Sequence, residues 1–247
     1  MKFAGAVFSS LFASAILVVT LGSRAGAGPY RQSTTATVGQ SKLDRQIPDF
    51  RTSGRTMMTT IIDIAFEFQL PMGIEYVDRE AITRPLYLEF HDQSIRSILS
   101  GIIAERPAYR ISFSGEVVQI DSPKSLQDPS NPFNRSIQDF SVTDVDTRNA
   151  DLTLVCELGK DLGPQTFCGG SIATGQWGPR LITLHLQNSK VYEILDAIVH
   201  ENGQAIWIVM APDSELSQTK AGALWHIYPL RAPFQATVLD KLTNLVP

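Results

Sequence analysis

Four histidines, two cysteines and three tryptophans are the side chains here with the most chemistry to offer, and their spacing decides how much of it is usable. His91, His185, His200 and His226 stand apart, with neither a short His-to-His interval nor a Cys-x-x-Cys partner, so they do not have the form of a metal site. His91-Asp92 could be half of an acid–base pair. Its counterpart in the second of the two repeats set out below is Gln187-Asn188, so the position reads as a polar turn and helix cap. His185 alternates with Leu184 and Leu186 and should face away from them, and His200 falls near the end of a helical stretch. Cys168-Gly169-Gly170-Ser171 has the glycines of a phosphate cradle but no following Lys, and reads as a turn or bulge. Gly-x-Ser-x-Gly and His-Glu-x-x-His do not occur. No catalytic residue, metal or cofactor is therefore expected.

Cys156 and Cys168 are an even pair separated by a short interval, and in an exported chain they are expected to form a disulfide. The alternative is two separately buried thiols. Trp207 and Trp225 lie in apolar alternating runs and read as sheet packing. Trp177 stands among Gly175, Gly178 and Pro179, and an aromatic on such a loop is a candidate contact residue.

The elements that must position these residues begin behind a leader. Lys2 is followed from Phe3 to Leu21 by an uncharged apolar stretch and then by Ala25-Gly26-Ala27, the three parts of a secretory signal peptide, with cleavage expected after Ala27. An uncleaved anchor is the alternative, but Gly5, Ser9, Ser10 and Ser14 dilute the run. No later segment is long and apolar enough to span a bilayer. The formal charge of −4 becomes −6 once Lys2 and Arg24 are removed, which argues against nucleic acid as a partner. With 43% hydrophobic and 19% charged residues the chain should build a packed core. Residues 28–46, rich in Ser, Thr, Gly and Gln, read as a flexible leader.

The rest is written twice. Leu86-Tyr87-Leu88-Glu89-Phe90 reads as a strand and Asp92 to Ser94 as a turn and cap. Ile95, Ile98, Leu99, Ile102 and Ile103 then form one helical stripe, and Ser114-Gly115 centres a hairpin. At an offset of 96 residues, Ile182 to Leu186 and Val191, Ile194, Leu195, Ile198 and Val199 repeat that strand and stripe. Ala205 to Met210 and Ala223 to Tyr228 close the second copy. Upstream, Ile47-Pro48-Asp49-Phe50 matches Ile137-Gln138-Asp139-Phe140, and helical segments follow at about Met57 to Gln69 and Ala150 to Leu162. Strands are expected at Gly73 to Asp78 and Gln165 to Ser171.

The expected class is α+β, with two tandem β-α-β-β-α-β-β modules after the signal peptide. Module one takes residues 47–122, a Pro-rich linker 123–136, module two 137–230 and a tail 231–247, whose Val238, Leu239, Leu242 and Leu245 fit either a docking helix or a last packed segment.

This order of a helix, a short strand, a Leu-x-Leu-x-Phe strand, a polar turn, an Ile-x-x-Ile-Leu helix and a hairpin resembles the secretin and TonB short N-terminal domain, over about Met57 to Ser122 and more loosely Asp151 to Pro229. The resemblance implies a periplasmic, non-enzymatic interaction module that docks on envelope or outer-membrane proteins of secretion or TonB-type systems. Pore and receptor functions are not carried over, because neither a pore domain nor a membrane barrel follows the modules in this sequence. An alternative reading is a binder of a small ligand or cell-wall glycan in a groove between units. A hydrolase is the third class, opposed by the missing nucleophile and metal motifs.

Overall fold

The computed structural model describes residues 41–75, 80–129, 131–160, 180–210 and 224–243. The described chain is a mixed α+β fold. Order starts earlier than the composition implies. Ser41 caps a 3-10 turn at Lys42–Asp44, and Leu43, in the stretch read as a flexible leader, is fully buried. Strand β1 (Gln46–Arg51) leads into helix α1 (Met57–Phe68), which Thr56 caps through a side-chain bond from the Thr59 N–H. Strand β2 (Met72–Glu75) and a short helix α2 (Glu80–Thr83) follow.

Strand β3 spans Glu89–Ser94, not the expected Leu86–Phe90. Leu86 and Leu88 still pair by backbone, their carbonyls accepting from Gly54 N–H at 2.9 Å and Thr52 N–H at 3.1 Å, but the left-handed Ser53 and Gly54 break the regular ladder there, and the Thr52 hydroxyl adds bonds to the Leu86 carbonyl at 2.6 Å and from the Leu88 N–H at 2.9 Å. The polar Asp92-Gln93 stretch, expected to be a turn, lies inside the strand, and only Ser94 is a cap, for helix α3 (Ile95–Ala104). Hairpin β4 (Arg110–Ser114) and β5 (Val117–Asp121) turns at Gly115, as the sequence predicts.

The stretch read as a linker is built structure. It holds helix α4 (Pro123–Gln127), a 3-10 turn at Pro132–Asn134 and the buried Phe133. Strand β6 (Ser136–Val145), helix α5 (Thr147–Gly159), strand β7 (Ile182–Lys190), helix α6 (Val191–Asn202), strands β8 (Ala205–Met210) and β9 (Leu224–Pro229) and helix α7 (Ala232–Thr243) complete the order. The expected strand at Gln165 to Ser171 lies outside the described residues, as does the signal peptide.

The repetition in sequence is visible in the backbone. Strands β1 and β3 pair antiparallel, as do β6 and β7. Asp92 and Asn188, one repeat offset apart, both take left-handed φ near 50°. The first helical N–H after each ribbon, at Ile95 and Val191, donates to the carbonyl of Arg45 and Arg135 respectively, at 3.1 and 3.0 Å.

The closing strands do not form two separate sheets. They join in one sheet of order β4-β5-β2-β8-β9, in which β2 runs parallel to both β5 and β8. Each repeat lays its helices on a different face. Met72, Ile74, Val118, Ile120, Ile206 and Ile208 point into a core with α1 and α3, while Trp207, Val209 and Ile227 point into one with α5 and α6. Beyond the helices lie the ribbons, so the packing order is ribbon, helices, sheet, helices, ribbon. The tail is a packed segment: Val238 on α7 is buried in the first core, and Gln235 Nε2 donates to Asp63 of α1 at 2.8 Å.

Candidate functional site

Two places concentrate what this fold can do: the joint where the repeats share a sheet, and the sheet's outer edge. The joint is the pairing of Met72, Gly73, Ile74 and Glu75 with Ile206, Trp207, Ile208 and Val209. Trp207 lies flat over Gly73, where a β-carbon would stand 2.4 Å from the indole, so glycine is required for the two strands to approach. Phe133 stacks on Trp207 with centroids 6.2 Å apart and meets Trp225 edge-on at 5.7 Å. An aromatic from the connecting segment thus covers strands β8 and β9.

Carboxylates surround this aromatic group. Trp207 Nε1 donates to Asp196 of α6 at 2.8 Å, and Trp225 Nε1 donates to Asp151 of α5 at 2.6 Å. Burial pushes the Asp196 carboxyl up to about 7, with the charges of Asp121 and Glu193 adding to it and the indole bond opposing it. Asp151 is raised to about 6, again by burial. At the ends of β2 and β5, Glu75 accepts from Ser125 and from Asn131 Nδ2 at 3.3 Å, while Asp121 takes both arms of Arg110 at 3.1 Å. Burial raises both of these carboxyls, even though their donors pull the other way. Carboxylates with raised proton affinity are the usual stock of general acids. Each of these four is held by a donor from its own fold: Glu75 fastens the connecting segment to the sheet, Asp151 and Asp196 fasten α5 and α6 to it, and Asp121 ties β5 to β4.

The remaining chemistry-bearing residues are dispersed. His91 is exposed on β3, with Nδ1 2.7 Å from Asp49 Oδ1 across the ribbon. His185 is exposed on β7, opposite in direction to the buried Leu184 and Leu186 as its alternation predicts, and its Nδ1 meets Ser141 Oγ at 2.7 Å. His200 stands in the last turn of α6, and His226 lies on β9 beside Tyr228. Cys156 is half-buried on α5, whereas Cys168 and Trp177 lie outside the described residues, as does the Gly169-Gly170 stretch. Among the described residues no group of three or more His, Cys, Asp or Glu side chains could hold a metal ion.

Phe133, Gly73, Asp151 and Asp196 were not singled out from sequence. A lone aromatic in a polar, Pro-rich stretch was the available signal for Phe133. Nothing in the sequence pairs Gly73 with Trp207, because that contact exists only once the two repeats meet.

The edge is β4. Ile111 and Phe113 pack half-buried against the first core, with Arg96 of α3 4.5 Å over the Phe113 ring, while Arg110, Ser112 and Ser114 alternate with them on the opposite face. Among the described residues, β4 pairs with β5 alone and ends the sheet on one side, as β9 does on the other.

Comparison of the chain with protein families, with curated proteins and with solved structures finds no match.

Proposed function

We propose that this chain is an exported, non-enzymatic protein–protein interaction module, an envelope adaptor resembling the N-terminal domains of secretins and of TonB-dependent signalling receptors. The observation that carries the reading is the β2–β8 joint: the two repeats associate through strand edges, in parallel register, and among the described residues the end strands β4 and β9 have no further strand beside them. Helix α1, short strand β2, strand β3, helix α3 and hairpin β4–β5 come in the order on which the resemblance rests, with helix α2 standing between β2 and β3 and the expected polar turn taken up inside β3, and that order supports the reading. Two tandem modules describe the repetition. The shared sheet makes them one folding body instead of two beads on a linker.

The test expresses the whole chain with its own leader and a photo-crosslinking residue, p-benzoylphenylalanine, at exposed positions on β4, β7 and α5. Adaptor function requires that the processed chain, beginning at Gly28, be recovered from the periplasm and that at least one position crosslink specifically to an outer-membrane or export component. A chain that keeps residues 1–27 and stays in the cytoplasm, or an absence of specific crosslinks from every position, overturns it.

A further inference from the structure

The two helices that cover the second repeat's face of the shared sheet are tied to it in the same way. The indole N–H of Trp225 on β9 donates to Asp151 of α5, and that of Trp207 on β8 donates to Asp196 of α6. Phe133 touches both rings, so the two ties meet in one aromatic group. The first repeat has other residues in these places. Helices α1 and α5 begin at Met57 and Thr147, and α3 and α6 at Ile95 and Val191. In that alignment Asp151 stands where the first repeat has Ile61, Asp196 where it has Ser100, and Trp207 where it has Ile111. We propose that these ties make the α5–α6 layer a pH-operated part of the fold: with Asp151 and Asp196 protonated the layer is held down on the sheet, and their ionisation lets it open locally while α1 and α3 stay closed.

Asp196 is 6% exposed, and among the described residues its hydrogen-bond donor is the neutral indole of Trp207. An ionised carboxylate in that place gives up water for one uncharged N–H, which does not replace it. The charges that reach it have its own sign, Asp121 of β5 and Glu193 of α6 itself. Asp121 is held by Arg110 and acts in turn on Glu75 of β2. Helix α6 also carries Tyr192, against Glu193, and His200 and Glu201, which face each other near its end. Of the other elements packed against α6, α5 carries Arg148, Asp151, Cys156 and a Glu157 paired with Lys160. Strand β6 carries exposed Asp139 and Asp144, and β7 carries exposed His185 and a Lys190 that lies over the Tyr192 ring. Beside Trp225, β9 adds His226 and Tyr228. Burial lifts Asp151 to about 6 and Asp196 to about 7, so the layer gains negative charge between acid and neutral pH. Opening returns each carboxylate to water, and ionisation therefore favours the open layer. In the first repeat the acids of α1 are Asp63, already paired with Arg55 and Gln235, and the exposed Glu67, and α3 has none.

Native-state hydrogen exchange of the whole processed chain in increasing urea, at pH 5 and pH 8 and corrected for the intrinsic pH dependence of amide exchange, tests this without any docking partner. At pH 8 the amides of α5 and α6 are expected to exchange about tenfold or more faster than those of α1 and α3, through an opening that urea hardly accelerates. At pH 5 both sets should follow global unfolding, with the same steep dependence on urea. Asp151→Asn combined with Asp196→Asn leaves each indole an acceptor that cannot ionise, and should abolish the difference at pH 8. The proposal is overturned if α5 and α6 track α1 and α3 at both pH values, if the gap is the same at pH 5 as at pH 8, or if the gap at pH 8 survives in the double variant. Should the double variant fail to fold, the parent decides alone, because its first repeat is the internal reference.

Discussion

Asp196 shows how one buried carboxyl shapes the stability of its surroundings. Its folded-state proton affinity is raised, to about 7, while an unfolded aspartate titrates near the ordinary value, so the folded form holds the proton more tightly across the interval between them. The stability it lends is complete at acid pH and is lost as pH rises through that interval, levelling off above about 7. The loss is capped at about 4 kcal/mol, because each tenfold change in proton affinity is worth ~1.4 kcal/mol. Asp151 acts in the same direction over a window ending near 6. Asp196→Asn keeps an acceptor for the Trp207 indole and cannot ionise, so chemical denaturation at pH 5 and pH 8 should show a smaller loss of stability than in the parent. Gly73→Ala is expected to destabilise by about 1–3 kcal/mol, the usual cost of overpacking, since the indole that its methyl would strike is itself fully enclosed. Equilibrium urea unfolding measures it. Phe133→Ala should cost about 3–5 kcal/mol in the same assay, as for other large buried aromatics. None of these three positions announces itself by spacing. Asp196 interrupts no stripe, and Phe133 owes its burial to two tryptophans that arrive some seventy and ninety residues later.

At the level of elements, helices α1, α3 and α6 were legible because their apolar stripes survive every change of context. Nine of the ten expected strands fall within the described residues and were legible in place but not always in their ends. Leu86 to Phe90 has strand patterning and keeps backbone bonds to Thr52, Gly54 and Arg55, yet the left-handed Ser53 and Gly54 opposite it break the regular ladder, which resumes over Glu89–Ser94, and the partner segment's local turn leaves no periodic signature in this one. The connecting segment was read from its prolines as loose. Proline also begins α4 and the 3-10 turn at Pro132, where its fixed φ is an advantage. Limited proteolysis should therefore cut slowly at Lys124, at a rate that follows global unfolding, and a fast cut there would show that the segment is a hinge after all. Helix α7 returns from the second repeat to cover α1, and Val238→Asp should lower the melting temperature measurably by placing a charge in the first core.

For the molecule as a whole, the repeat was legible and its consequence was not. Similar halves in a sequence imply two bodies until something shows that they share a sheet, and the contacts that join them are between residues with no local relation. The expected outcome of calorimetry is a single transition, with calorimetric and van't Hoff enthalpies that agree. Two transitions would mean that the halves melt independently. The chain is made from its N-terminus, and Met72 pairs with Ile206 across more than half its length. Until β8 emerges, β2 is an apolar strand with one side unsatisfied, the condition under which growing chains stick to one another. Such distant pairing also slows folding, because the loop must close before the contact is gained. The joint that unites the two halves in the finished fold is thus the last part of the first half to be protected, and an escort during synthesis or export would find its natural grip there.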